Sequence, residues 1–210
     1  MPLYLLYLIL TGAITLSTAM ILKKDLKKLL VNLFKDKNSK DLGILGMNAS
    51  GKTRFLRFLQ NLPYEEGPTM KDKQYQEFIY KTNNGRIFNI MKGKDISGAN
   101  DKRTGYNKIM DNADVIFYFF NIQPYLKDLN YQRECNSRMS DIYEFTTVEN
   151  KQLVLFASHS DLLGKKINPY KEFGKIVGEK KYKDLKEKMI VINLTNSKEV
   201  KEQTDLIFEN

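Results

Sequence analysis

Between an apolar stretch, Leu42 to Leu45, and an amphipathic one that begins near Phe55 lie eight residues: Gly46-Met47-Asn48-Ala49-Ser50-Gly51-Lys52-Thr53. The spacing GxxxxGK[ST], set between a strand and a helix, is that of a loop which cradles phosphate. It requires a strand that runs straight into a helix N-terminus. The glycines let backbone N–H groups curl around phosphate oxygens, and the helix start adds favourable partial charge. In such a loop Lys52 reaches the β- and γ-phosphates of a nucleotide, and the Thr53 hydroxyl ligates Mg²⁺. Phe55, Leu56, Phe58, Leu59 and Leu62 give the following helix its buried side, and Pro63 stops it. The alternative, a glycine-rich surface turn, does not account for the apolar strand and helix on either side.

The rest of the chain alternates in kind. Gln74–Lys81 and Arg86–Met91 flank Asn83-Asn84-Gly85, a hairpin with an Asn-Gly turn. Val115–Ile122, Leu153–Ser158 and Met189–Leu194 are apolar strand candidates. Helical patterns separate them around Asp101–Asp111, Leu126–Phe145 and Tyr170–Lys186, and a last helix spans Ser197–Phe208. The order β-α-β-β-α-β-α-β-α-β-α, with one antiparallel hairpin among alternating units, predicts an α/β fold. The expected sheet is mixed, mostly parallel and six-stranded, with helices on both faces.

Ahead of this domain, Leu3 to Leu22 is an uncharged run of 20 residues, enough to cross roughly 30 Å of hydrocarbon as a helix. Lysines begin at once: seven stand in 23–40 against Asp25 and Asp36, which is more than half of the net charge of +9. That asymmetry predicts a single transmembrane helix over 1–22 with everything after it cytoplasmic. The rival is a cleaved signal peptide, which the missing charged n-region and the length of the run disfavour. Leu22, Leu26, Leu29, Leu30 and Leu33 then recur at helical spacing opposite lysines. Residues 23–40 thus form a basic juxtamembrane segment, either an interfacial helix on anionic lipid or a stalk packed on the domain. The remaining 41–210 carries little excess charge, so nucleic acid is not an expected partner. One cysteine, Cys135, and one histidine, His159, rule out a disulfide framework and a histidine-based metal site or triad.

With the phosphate loop on its first strand, the element order over 41–210 resembles the Ras-like small GTPases, a P-loop G domain. Asn48, standing where Ras proteins have a second glycine, makes the loop most similar to the Arf branch. An Arf-like domain behind one membrane helix is also the layout of the β subunits of the signal-recognition-particle receptor. The resemblance implies GTP or GDP with Mg²⁺ as ligands, held by Gly46, Asn48, Ala49, Ser50, Gly51, Lys52 and Thr53. It aligns Thr69 with the switch threonine that closes over Mg²⁺ and the γ-phosphate, although Gly67-Pro68-Thr69 also suits an ordinary turn. Asp95-Ile96-Ser97-Gly98 matches the DxxG in which Asp95 serves the metal and the Gly98 N–H senses the γ-phosphate. The polar Lys92-Gly93-Lys94 leading into it leaves open a solvated turn, with Asp101 or Asp72 nearer the metal. Ala99 replaces the glutamine that orients attacking water, so unaided hydrolysis should be slow.

Ser158-His159-Ser160-Asp161 occupies the place of the base-reading motif, with Asp161 accepting from guanine N1–H and N2–H₂ and His159 stacking on the base. Thr195-Asn196-Ser197 lies where a backbone segment contacts the guanine O6. The resulting expectation is a membrane-anchored GTPase switch, slow without a partner, in which Lys52, Thr69 and Gly98 serve catalysis and a cytosolic protein is recruited. The rival readings are a receptor-like module with structurally bound nucleotide, and a P-loop ATPase.

Overall fold

Strand β1, Ser39–Gly46, is hydrogen-bonded in parallel on both sides, to β4, Ile87–Ile90, and to β6, Val115–Asn121. This computed structural model describes residues 39–63, 73–82, 85, 87–90, 93–95, 103–164 and 166–209. The apolar run at 3–22, residues 23–38 of the basic stretch, and Thr69, Gly98 and Ala99 lie outside them, whereas Ser39 and Lys40 begin β1. Among the described residues no helix is long and apolar enough to cross a membrane.

The six-stranded sheet has the order β3-β4-β1-β6-β7-β8, where β3 is Phe78–Lys81, β7 is Gln152–Ser158 and β8 is Met189–Val191. Only β3 and β4 are antiparallel; the other four pairings are parallel. This is the α/β, mostly parallel architecture that the alternation of elements predicts. Because β6 and β7 are covered on both faces, each reads as a continuous apolar run rather than an alternating one.

Alternation nevertheless decides which core each side chain joins. On one face Ile116, Tyr118 and Phe120 of β6 meet α2 (Arg103–Asn112), α3 (Ile122–Lys127), α4 (Leu129–Val148) and α5 (Pro169–Val177). On the other, Val115, Phe117 and Phe119 meet α1 (Lys52–Leu59) and α6 (Ser197–Glu209). That second core is built on rings. Phe119 and Phe156 stack with centroids 4.5 Å apart, and Phe55 of α1 lies 5.1 Å from Phe119 and 5.5 Å from Phe156.

Several element boundaries differ from the sequence expectation, each for a local reason. The first helix ends at Leu59, before Pro63, and Asn61 takes a left-handed φ of 54°. Leu62 therefore falls beyond the helix and is exposed rather than buried. The stretch expected as one helix over Leu126–Phe145 is two, α3 and α4. Asp128 divides them and caps α4, its Oδ1 accepting from the N–H groups of Asn130 (2.8 Å) and Tyr131 (3.2 Å). Tyr170–Lys186 also breaks: α5 ends before Gly178, and Lys183–Lys188 forms a separate 3₁₀ turn. The last strand stops at Val191, short of Leu194.

The hairpin is longer than its apolar stretches and is interrupted. Beyond Phe78↔Ile90 the same register resumes at Tyr75↔Gly93 and continues to Lys73↔Asp95, as a two-stranded ladder of β2 (Lys73–Tyr75) and β5 (Gly93–Asp95). The pairing of β4 with β1 ends at Leu42↔Ile90. Lys92-Gly93-Lys94 offers no apolar side chain to hold the arm against β1, so its pairing passes to β2 alone.

Replacing Phe156 by Ala should destabilise the protein by about 3–5 kcal/mol, because the cavity would open beneath three other rings. Val148→Ser, at a side chain 80% exposed, should change stability by less than about 0.5 kcal/mol. Equilibrium denaturant unfolding reads both, and a near-wild-type midpoint for Phe156→Ala would contradict this account of the core.

Candidate functional site

The chain reaches β4 on one side of β1 and then crosses to β6 on the other, so the strand order reverses at β1. In open parallel sheets, ligands bind at the carboxyl ends of the strands beside such a reversal. Here the carboxyl end of β1 is Gly46, the first residue of the phosphate-loop sequence. The Met47 N–H donates to the Phe119 carbonyl at 2.8 Å, tying the start of the loop to β6. Gly46 has φ 150°, and a Cβ there would overlap the Phe119 backbone, so only glycine fits.

The loop then turns through Asn48 and Ala49, both exposed, with Ala49 at φ 51° and its N–H donating to Asn48 Oδ1 at 2.9 Å. Ser50 is buried, and its hydroxyl donates to the Met47 carbonyl at 2.7 Å. Gly51 sits at φ 83° as the N-cap of α1 and supplies no side-chain hydrogen bond to the helix. The start of a helix, where backbone N–H groups point outward, is a place that can take an anion.

Lys52 is only 7% exposed. Its ammonium donates to the carbonyls of Met47 at 2.6 Å and Gly46 at 3.3 Å, which offsets the cost of burying a cation. Thr53, the second residue of α1, is half-buried. Gly46, Asn48, Ala49, Ser50, Gly51, Lys52 and Thr53 thus lie on one strand-to-helix turn at the reversal point, from the end of β1 to the first residues of α1.

Two further loops arrive at the same end of the sheet. After β7, His159 adopts a left-handed φ of 60° and starts a 3₁₀ turn over Ser160–Leu162, with Asp161 exposed. Ser158 is fully buried. Its Oγ donates to the Phe120 carbonyl at 3.0 Å and lies 2.8 Å from His159 Nδ1. A hydroxyl has one proton, and a carbonyl can only accept. His159 Nδ1 must therefore carry the proton in that contact, leaving Nε2 as an acceptor in the neutral ring.

After β8, Leu194 packs on Gly51, where a Cβ would collide with its side chain, and the imidazole Cε1 of His159 lies beyond at 4.0 Å from that position. Asn193 Oδ1 accepts from the Thr195 N–H (2.9 Å) and hydroxyl (2.7 Å), while the Asn193 N–H donates to Glu199 Oε1 at 2.9 Å. Ser158 thus ends β7, and His159, Asp161 and Thr195 lie on the segments that follow β7 and β8.

Burial lowers the His159 pKa below its ordinary 6.5; the Asp161 carboxylate opposes that shift and the Arg54 guanidinium on α1 adds to it. Glu199 is raised above its usual 4.5, mainly by burial and further by Asp161 and Glu202, against the Asn193 N–H bond. Asp161 is close enough to act on both groups.

Of the remaining sequence candidates, Asp95 is placed only along its backbone, at the end of the hairpin arm opposite Lys73. Carried along the strand, the β1/β4 register would bring Asp95 level with Met47, but the ladder has left β1 by then. Among the described residues, no group of three His, Cys, Asp or Glu side chains is arranged to hold a metal ion. The sequence reading missed Tyr106, whose hydroxyl donates to the Gly46 carbonyl at 2.8 Å, and Glu199. Tyr106 carries no motif signal; Glu199 had one in its place two residues after Ser197, inside the first turn of α6.

No protein-family model matches the chain, and no curated protein matches it.

The depressed His159 pKa sets a pH dependence. Its unfolded form takes up a proton first as pH falls, so the stability it contributes is whole above pH 6.5 and lost below it, toward the folded-state value. His159→Gln should remove that part of the acid sensitivity. Urea midpoints compared between about pH 7.5 and 5.5 test this, and parallel loss in wild type and variant would refute it.

Proposed function

We propose that the chain is a guanine-nucleotide-binding switch held at a membrane by its N-terminal apolar segment, whose nucleotide state governs recruitment of a cytosolic partner. The observation that carries the reading is the loop at the carboxyl end of β1: a buried Lys52 ammonium at the start of a helix whose N-cap is Gly51. The element order and the position of this loop at the sheet's reversal point support the resemblance to Ras-like small GTPases. The approach of Leu194 and His159 to Gly51, with Asp161 close enough to act on His159, supports a base site next to the phosphates. Membrane attachment rests on the uncharged run 3–22 and the lysines that follow it.

In this reading Lys52 and the amides of the loop bind the phosphates and stabilise charge on the transferring phosphoryl group. Asp161 accepts from the two guanine donors that adenine does not present together, and the His159 ring stacks beside them. Thr53, with Thr69 and Asp95, would hold Mg²⁺, which neutralises phosphate charge when bound. Gly98 would donate its N–H to the γ-phosphate. Ala99 in place of glutamine makes hydrolysis slow unless a partner supplies the missing group.

Ala99 also favours a second reading, in which nucleotide is bound structurally and turnover is negligible. A single-turnover rate no faster than that of Lys52→Ala would decide for it.

Titrating the full chain in detergent with labelled GTP, GDP and ATP tests the main proposal. Lys52→Ala should weaken nucleotide binding about ten- to hundredfold, the size of a lost charge-assisted bond. Asp161→Ala should erase the preference for guanine. Equal binding of ATP and GTP by the wild type would sink the guanine reading, and binding of neither would sink the nucleotide reading altogether.

A further inference from the structure

The Gly46 carbonyl, at the entrance to the phosphate loop, accepts from two donors. One is Lys52 Nζ at 3.3 Å; the other is the Tyr106 hydroxyl at 2.8 Å, brought in by α2. The phenol oxygen in turn accepts from Arg138 Nη1 at 3.1 Å, and Arg138 Nη2 pairs with Glu134 Oε1 at 2.5 Å, one turn earlier on α4. The Arg138 guanidinium also lies over the Tyr106 ring, 5.8 Å from its centroid.

The direction of each link is fixed by valence. A carbonyl can only accept, a guanidinium can only donate, and a phenol has one proton to give. Tyr106 therefore spends its proton on Gly46, and Arg138 fills the phenol's acceptor side. Burial raises the Tyr106 pKa above its ordinary value, which keeps that proton in place. The Arg138 side chain is only 17% exposed, so water does little to screen the relay.

We propose that Tyr106 and Arg138 are positioning residues for the phosphate loop, fixing the Gly46 carbonyl against which the Lys52 ammonium is held and tying that turn to α4. The inference rests on reading this loop as a nucleotide phosphate site. It gives α4, on the sheet face opposite α1, a polar connection through Tyr106 and Gly46 to Lys52. Events at the α4 surface can then alter how tightly nucleotide is held.

A packing role and a positioning role separate cleanly at Tyr106. Ile109 and Met110 already bury α2 in the core. Packing needs the Tyr106 ring, whereas positioning needs its hydroxyl, so Tyr106→Phe keeps the first and deletes the second. Arg138→Met keeps much of the aliphatic bulk and removes the donor. Arg138→Lys can restore one bond to the phenol.

The experiment follows release of preloaded fluorescent GDP and GTP from the full chain in detergent, with thermal unfolding of each nucleotide-free protein alongside. Tyr106→Phe should speed release about tenfold, the effect of losing one bond to a carbonyl that also holds a cation. Arg138→Met should speed it less, Arg138→Lys should recover part of the loss, and Tyr106→Phe/Arg138→Met should release no faster than Tyr106→Phe alone, because Arg138 acts through the hydroxyl. The nucleotide-free Tm of Tyr106→Phe should stay near wild type. Wild-type release from Tyr106→Phe, or additive effects in the double variant, would overturn the proposal while leaving nucleotide binding intact. A wild-type chain that cannot be loaded would instead overturn the reading of the site, and this inference with it. Tyr106→Phe carries the test even if Arg138→Met does not fold.

Discussion

Phe55 enters the core one turn after α1 begins and meets Phe117, Phe119 and Phe156 from β6 and β7. Aromatic contacts of this kind add about 0.5–1.5 kcal/mol per pair beyond the area they bury, and their geometry leaves the helix little freedom to slide. With α1 fixed on β6 and β7, and β1 fixed between β4 and β6, the chain must close the gap from Gly46 to Lys52 in a single turn. The same strand that stacks its Phe119 ring under α1 receives the Met47 N–H on its Phe119 carbonyl. One residue thus sets both the floor of the helix and the entrance to the loop. The left-handed turns at Ala49 and Gly51 are consequences of that closure.

Lys52 shows how the closure creates chemistry. A cation at 7% exposure would be strongly destabilising without partners. The loop supplies them by turning the Gly46 and Met47 carbonyls inward, toward the ammonium. Those carbonyls are neutral, so they solvate the charge without cancelling it. The positive end of the α1 dipole lies beside that ammonium. An anion brought there meets a field that the fold has already organised, which is the source of electrostatic preorganisation.

The sequence made the strand-to-helix turn at Gly46–Thr53, the element order and the α/β class legible for a physical reason: each depends on local spacing. GxxxxGK[ST] is a contiguous motif, and the apolar runs of β6 and β7 are long enough to stand out. Interruptions were harder to read. Asp128 divides α3 from α4 through two side-chain bonds, in a stretch whose apolar pattern continues across it. The hairpin arm leaves β1 at Ile90, where a change of partner rather than a change of strand propensity ends the sheet. Boundaries set by capping or by competition between partners carry little signature in composition.

Within the site, the difference is between contacts near in sequence and contacts made by folding. Ser158, His159 and Asp161 are neighbours, so a motif-sized window finds them. Tyr106 lies sixty residues from the Gly46 carbonyl it holds, and Arg138 stands a further thirty-two away. To a helical pattern Tyr106 is one more amphipathic aromatic, and Arg138 with Glu134 is an ordinary i,i+4 surface pair, worth a few tenths of a kcal/mol at about 25 °C. What changes their meaning is that β1 is adjacent to β6 in the sheet. That adjacency lays α2 and α4 on one face, brings the guanidinium to the phenol, and points the phenol at the loop. The pair ceases to be a surface ornament because its far end is buried against a carbonyl shared with the Lys52 ammonium. Charge-assisted bonds gain strength in such shielded surroundings, so a link invisible in the sequence becomes one of the short polar routes between the helical face and the site.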